Sequence, residues 1–434
     1  MLPPWATLSP LELRVVTTSK LLLPLALVAA VTVIAMSSAK QLRRMETRGD
    51  VEVYIHGARL VLGGADVYAI PEPRGRQPYL YLPLFACMAI PLTLVPIQAA
   101  VVCWSALNAA LAWWIMVAFF RAMTGRSFFS LALKARWIVG FFTILLTLRA
   151  LLYHLNLGQA NLVVMAIAVL GLRQFARSRP AGAGVALGVA SVLKTIALPL
   201  WIPFLAQGRG WVAAGITLGV FAGLLLPALF VGFDRNLSYI AYWVTDVILS
   251  ADDLRRTPYW PLGFNYSLAA QLYRFFGDVV SFEHDGRYYS VALTHLPDAA
   301  LRVMTRLVPL LVGLVIASFA WVHRRRHELV SVWGAVALSF CLAPAFSLVA
   351  HKHYWVMLLP AHLYVVYLWY VVQLEDRWFR GLVVASFIVA TLSTTLFDFA
   401  GALMSNLGGL VWGSALLAAA IFRAAVRLQR FEPA

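Results

Sequence analysis

Five short stretches hold the residues best suited to chemistry in this chain. Asp50 opens "DVEVYIHGARLVLGG", with Tyr54 one turn further on and Asp66 just beyond in "GGADVY". "HLNLGQAN" supplies Asn156, Gln159 and Asn161, "SVLKT" supplies Lys194, "FNYSL" supplies Asn265, and "HKHY" supplies His351, Lys352 and His353. A carboxylate on a loop suits a general base that takes a proton from a hydroxyl. Lysines at headgroup level suit the phosphate of a lipid. A sugar carried on a lipid phosphate already has an activated leaving group. Its transfer asks for a base on the acceptor and for cations at the departing phosphate. Neither a nucleotide-binding loop nor a metal cluster is required, and the sequence displays neither, so no cofactor and no metal are expected.

Each stretch also has a plainer reading. Asp50 suits the N-cap of a helix, since Val51, Tyr54, Ile55, Ala58 and Leu62 follow at helical spacing and Gly63–Gly64 end the run. Asn156, Gln159 and Asn161 suit a polar turn. Lys194 suits a side chain that snorkels to the headgroups, and the His351–His353 segment suits an interfacial turn. Asp66 fits turn chemistry. These alternatives stay open at the level of sequence.

The elements that must position these residues follow from composition. The chain has 434 residues, of which 62% are hydrophobic and only 12% charged, and its mean hydropathy is +0.79. That is too little charge to cover a soluble domain, so an all-α polytopic membrane protein is expected, as a single unit over 1–434. The net charge of +16 lies in short clusters between apolar runs, which excludes a nucleic-acid-binding face. Cys87, Cys103 and Cys341 all sit in apolar stretches and form neither a disulfide framework nor a metal spacing.

Runs long enough to cross a bilayer lie at roughly 20–38, 98–121, 136–153, 159–173, 211–233, 302–322, 329–349, 354–373, 380–398 and 401–422. The first is expected to be an uncleaved span rather than a signal peptide. A lysine at the bilayer centre costs about 2.5–3.5 kcal/mol, so residues 183–206 are expected as two short helices that turn at Lys194. Residues 79–97, broken by Pro83, Pro91 and Pro96, are expected to dip into the membrane and return. About twelve spans result. The basic clusters Arg121–Arg136, Arg173–Arg179 and "HRRRH" at 323–327 place those loops, and both termini, in the cytoplasm. The loops 39–78 and 234–301 then lie outside, the second with "LSYIAYWVTDVIL" as an interfacial helix. All five chemical stretches fall on that non-cytoplasmic face. Arg149 is an exception within an apolar run and has no assignment at this level.

The stretches "GDVEVYIHGARLVLGGADVY" with "YLYLPLF", "NLGQAN", "GVALGVASVLKTIALPLWIPFL" and "AHKHYWVMLLP" carry a resemblance. In their order and spacing, over approximately residues 20–375, the chain resembles the GT-C superfamily of membrane glycosyltransferases. Within it, the chain is similar to the polyprenyl-phosphate-mannose-dependent mannosyltransferases of glycosyltransferase family 87. The resemblance implies a GT-C fold in a membrane, expected to be a bacterial plasma membrane, and a polyprenyl-phosphate sugar donor used on the non-cytoplasmic side. It implies Asp50 as catalytic base, with Asp66 the alternative, and it carries Lys194, His351 and His353 to the donor phosphate; Lys352 is expected beside them, and Tyr54, Asp66, Asn156, Gln159, Asn161 and Asn265 are the expected substrate-binding residues. The family segment more often shows Ser-Trp and an acid before its histidine, where this chain reads "SLVAHKHY". Expected partners are the lipid-linked donor, a glycolipid or lipoglycan acceptor and membrane lipids, with no nucleic acid. The competing class is a transporter or flippase of a lipid-linked sugar, and such proteins often show internal repeats. No repeat is visible here. A receptor or scaffold is the third class.

Overall fold

The computed structural model describes residues 28–43, 50–68, 79–249, 264–392 and 398–428. The chain is almost wholly helical there. Among the described residues, sheet is confined to one hairpin that pairs Phe282–His284 with Arg287–Tyr289. Its two-residue turn, Asp285–Gly286, has positive φ at both positions, the geometry that matches strand twist in a tight hairpin.

Among the described residues, six helices are long and apolar enough to cross a membrane: Ile97–Thr124, Leu133–Leu157, Gly210–Val231, Asp298–Val322, Leu329–Phe346 and Gly409–Leu428. Asn161–Ala176, Pro180–Leu193 and Thr195–Ala206 are shorter apolar helices. Several of the expected spans are broken. The 354–373 run starts inside the 3₁₀ turn Lys352–Leu358 and continues as Leu359–Tyr370. The 380–398 run lies in Arg377–Phe387 and the π turn Ile388–Leu392, with 393–397 outside the described residues. Gly408, at φ +90°, divides the 401–422 run. Residues 1–27, on which the signal-peptide question turns, also lie outside the description, and the first run enters it as a helix over 28–43.

Prolines shape the segment before the first long helix. Pro83 starts the short helix Pro83–Met88, Pro91 sits in the 3₁₀ turn Ile90–Leu94, and Pro96 precedes Ile97. A proline fits the first turn of a helix, where its missing N–H is not needed. Further along, Phe233–Tyr242 continues as a π turn over Trp243–Ile248. This segment reaches back to the first polar loop: Tyr239 donates to the Ala65 carbonyl at 3.2 Å and Trp243 Nε1 to the Leu80 carbonyl at 3.1 Å. The two long polar loops of the sequence therefore touch.

Two contacts set the rest. The helix Pro180–Leu193 packs along Gly210–Leu225 through a seam of glycines. A Cβ at Gly184 or Gly188 would overlap the carbonyl of Val212 or Ile216, and one at Gly215 or Gly219 that of Ala181 or Val185. Such small-residue seams let apolar helices approach backbone to backbone. Because the obstacle is main chain, Gly188→Leu is expected to cost about 3 kcal/mol, the upper end for overpacking. A clear fall in the apparent Tm of the purified protein in detergent would register it. At the other end of the chain, buried Asp376 caps the helix Arg377–Phe387 through the Phe379 N–H at 2.8 Å and accepts from Arg423 and Arg427. That clamp fixes the last long helix against its neighbour.

Candidate active site

The helix Asp50–Leu62 buries one face, with Val51, Tyr54, Ile55, Ala58 and Val61 inward. Tyr54 is wholly enclosed among Phe85, Tyr81 and Trp104, with ring centroids 4.7, 5.6 and 5.6 Å away. Asp50 is the first described residue of this helix, beside the turn that joins Leu133–Leu157 to Asn161–Ala176. Gly158 makes that turn possible. Its φ is +70°, and a Cβ there would lie 2.6 Å from the Val51 side chain. Beneath it, Gln41 Nε2 donates to the Leu155 carbonyl at 2.7 Å, and Trp104 Nε1 donates to the Gly158 carbonyl at 2.8 Å. Three elements are thus pinned to one turn.

The turn presents Gln159 between two charges. Gln159 Nε2 donates to Asp50 Oδ2 at 2.6 Å, and Lys194 Nζ donates to Gln159 Oε1 at 3.2 Å. Only one orientation of the amide serves both, because its nitrogen must face the acceptor-only carboxylate and its oxygen the ammonium. Lys194 leaves the end of Pro180–Leu193 in an extended conformation. Its ammonium lies over the ring of Tyr354 at 4.5 Å and near that of Tyr81 at 5.6 Å. Enclosure disfavours the charged form and pulls the Lys194 pKa down to about 7, with Asp50 opposing. Asp50, Tyr81, Lys194, His351 and Tyr354 all keep partial exposure, so this is a cleft.

The segment 347–353 is laced to 264–267. Asn265 Oδ1 accepts from the N–H groups of Ser267 and Ala350, both at 3.0 Å, and Asn265 Nδ2 donates to the Leu348 carbonyl at 3.2 Å. Every polar atom of that side chain is spent on backbone, so Asn265 is a brace. Asn161 Nδ2 likewise donates to the His353 carbonyl at 3.1 Å. His351 Nδ1 pairs with the Phe264 carbonyl at 2.8 Å. Burial and the nearby Lys194 charge push the His351 pKa down, against that hydrogen bond. His353 is buried against Tyr354, with centroids 4.8 Å apart.

Lys352 is directed elsewhere. It lies over Tyr266 at 4.8 Å, and its pKa is pushed down to about 8 by burial and by the charges of Arg149 and Arg274. Asn156 makes no hydrogen bond to the Asp50–Gln159–Lys194 chain among the described residues. Asp66 closes its own turn, with Oδ1 accepting from the Tyr68 N–H at 2.9 Å, among Tyr68 and Tyr239. Asp66→Asn keeps that turn, and the activity of this variant is expected to stay within about threefold of wild type, the effect of a peripheral polar change. Tyr81, Tyr354 and Arg274 are additions that the sequence reading did not single out. Tyr81 and Tyr354 do occur inside "YLYLPLF" and "HKHY".

Comparison with curated proteins and with solved structures yields no match. Comparison with known families matches residues 79–347, a stretch that contains Gln159, Lys194 and Asn265 and lies between Asp50 and the His351–His353 turn. The match covers well over half of a helical membrane chain, and the chain belongs to glycosyltransferase family 87.

Proposed function

We propose that the chain transfers a sugar, mannose in the first instance, from a polyprenyl phosphate to a hydroxyl of a glycolipid or lipoglycan, with inversion at the anomeric carbon. The observation that carries this reading is the chain Asp50–Gln159–Lys194, a base and a cation joined by one oriented amide in a partly open cleft. Asp50 takes the proton of the acceptor hydroxyl, and that oxygen forms the new bond to the anomeric carbon. The bond from that carbon to the phosphate oxygen breaks, and polyprenyl phosphate leaves with the electron pair. Lys194 stabilises the charge that develops on it, with His351 alongside. Preorganised charges of this kind act where charge appears in the transition state. The reaction as written uses no metal.

The non-cytoplasmic side is the proposed location. Arg121, Arg173, Arg177 and His327, from the three clusters expected in the cytoplasm, line one common cavity. Arg173 lies about 18 Å along its helix from Asn161, at 1.5 Å per residue. That separation supports placing the cleft across the membrane from the basic end.

The test is transfer from radiolabelled polyprenyl-phosphate mannose in membranes that hold the full chain. Label appearing in a glycolipid supports the reading. Movement of intact donor between leaflets with no transfer from mannose, glucose or arabinose donors would replace it with a transporter.

A further inference from the structure

We propose that the groove holding Arg149 and Lys352 binds the phosphate and a hydrocarbon chain of a second lipid, and that this lipid is the acceptor. The assignment to the acceptor rests on the glycosyl-transfer reading above.

The groove runs between Leu133–Leu157, the Lys352–Tyr370 segment, Arg377–Leu392 and Gly409–Leu428. Leu146, Ala150, Trp355, Leu358, Phe387 and Leu410 give it apolar walls interrupted by Thr147, His362 and Ser386, and its lining includes Arg149 and Lys352. Arg274 stands behind, fully buried, over the Tyr266 ring at 5.6 Å. It donates to the Asn265 carbonyl and meets the Gln271 amide at 3.5 Å, and no ion pair to a carboxylate is among its contacts in the described residues. Three cations are therefore gathered around one tyrosine at the edge of an apolar slot. Arg149 lies within the candidate span Leu133–Leu157, where a charged residue is costly and normally serves a polar ligand or pathway. An amphiphile with an anionic head fits both halves of this site.

The choice between donor and acceptor follows from bond geometry. The donor phosphate is bonded to the carbon under attack, so it has to sit close to Asp50. Lys194, one amide away from Asp50, meets that condition. Lys352 instead feels Arg149 and Arg274. Lys352 lies over the Tyr266 ring and has no hydrogen bond to the Asp50–Gln159–Lys194 chain among the described residues, so a phosphate held there is assigned to the other lipid. An acceptor glycolipid needs that arrangement, because its reacting hydroxyl is on a sugar beyond its own phosphodiester. Lys352, expected from sequence at the donor phosphate, is reassigned.

The experiment uses the full chain with Lys352→Gln and Arg149→Gln, each read in two ways. In transfer assays with a mannosylated phosphatidylinositol as acceptor, the KM for acceptor should rise at least about tenfold, the loss of one charge-assisted contact. The KM for polyprenyl-phosphate mannose should hold within about twofold, less than 0.5 kcal/mol. In native mass spectrometry, which needs no turnover, wild type should retain phosphatidylinositol in preference to diacylglycerol, and both variants should lose the preference. A rise in donor KM with acceptor KM unchanged would hand the groove to the donor and overturn the proposal. Equal retention of both lipids by wild type would remove the anion site altogether. If wild type transfers no sugar from any donor, the glycosyl-transfer reading and the acceptor assignment fall together, and the lipid-retention comparison alone decides whether the groove binds an anionic lipid.

Discussion

Asp50→Asn is expected to lower kcat for sugar transfer by about 10³-fold, within the range that a general base contributes. The substitution keeps shape and one acceptor oxygen, so Gln159 can still donate to position 50 and the helix Asp50–Leu62 has no reason to shift. The ability to take the proton is lost, together with the charge that helps keep Lys194 an ammonium. Measured well below pH 7, where Lys194 stays charged, the KM for the donor should change little, and the apparent Tm should match wild type. A well-folded Asp50→Asn enzyme with near-normal turnover would remove Asp50 as the base. Asp66 is too occupied with its own turn to replace it easily.

Lys194→Met should cost about 10²–10³-fold in kcat, the size seen when one preorganised charge partner of a transition state is removed. The pH profile provides a sharper reading. In the free enzyme the Lys194 pKa is lowered to about 7, because enclosure outweighs the pull of Asp50. Below that pH the side chain is an ammonium and holds the phosphate; above it the side chain is neutral. The kcat/KM profile, which reports free-enzyme pKa values, should consequently fall as pH rises through about 7. Lys194→Arg stays charged at every working pH. It should retain part of the rate and lose that basic limb. A limb that persists unchanged in Lys194→Arg would assign it to another group and detach Lys194 from the leaving phosphate.

Much of this was legible in the sequence, and the limits have physical causes. Apolar runs announced the long helices because a bilayer demands length and apolarity together. Among the described residues six helices meet both criteria, against about twelve expected spans: residues 1–27 and 393–397 lie outside the description, and Pro and Gly breaks, 3₁₀ turns and π turns shorten several of the other runs. Asp50 and Lys194 stood out as charges in unusual places, yet nothing local joined them. Their link is Gln159, more than a hundred residues from Asp50, and such long-range pairing leaves no trace in spacing. The His351, Lys352 and His353 trio was treated as one unit. His351 and His353 stack with ring centroids 5.6 Å apart beside Tyr354, whereas Lys352 between them turns to the Tyr266 ring, so the trio divides in two. Asn265 read as a polar ligand because its backbone partners, Leu348 and Ala350, lie some eighty residues downstream.

The glycine seam between Pro180–Leu193 and Gly210–Leu225 carries a consequence for distance as well as for packing. In the observed register each of the four glycines sits against a carbonyl. Gly171 makes a matching close approach on the other side, where a Cβ would lie 2.8 Å from the Ala183 carbonyl, so Pro180–Leu193 is also held against the helix that follows Gln159. A slip of one helical turn between those two would carry Lys194 about 5.4 Å along the axis, well beyond reach of Gln159. These close contacts are a ruler: the gap between base and cation is measured out along helices, remote from the cleft where it is used.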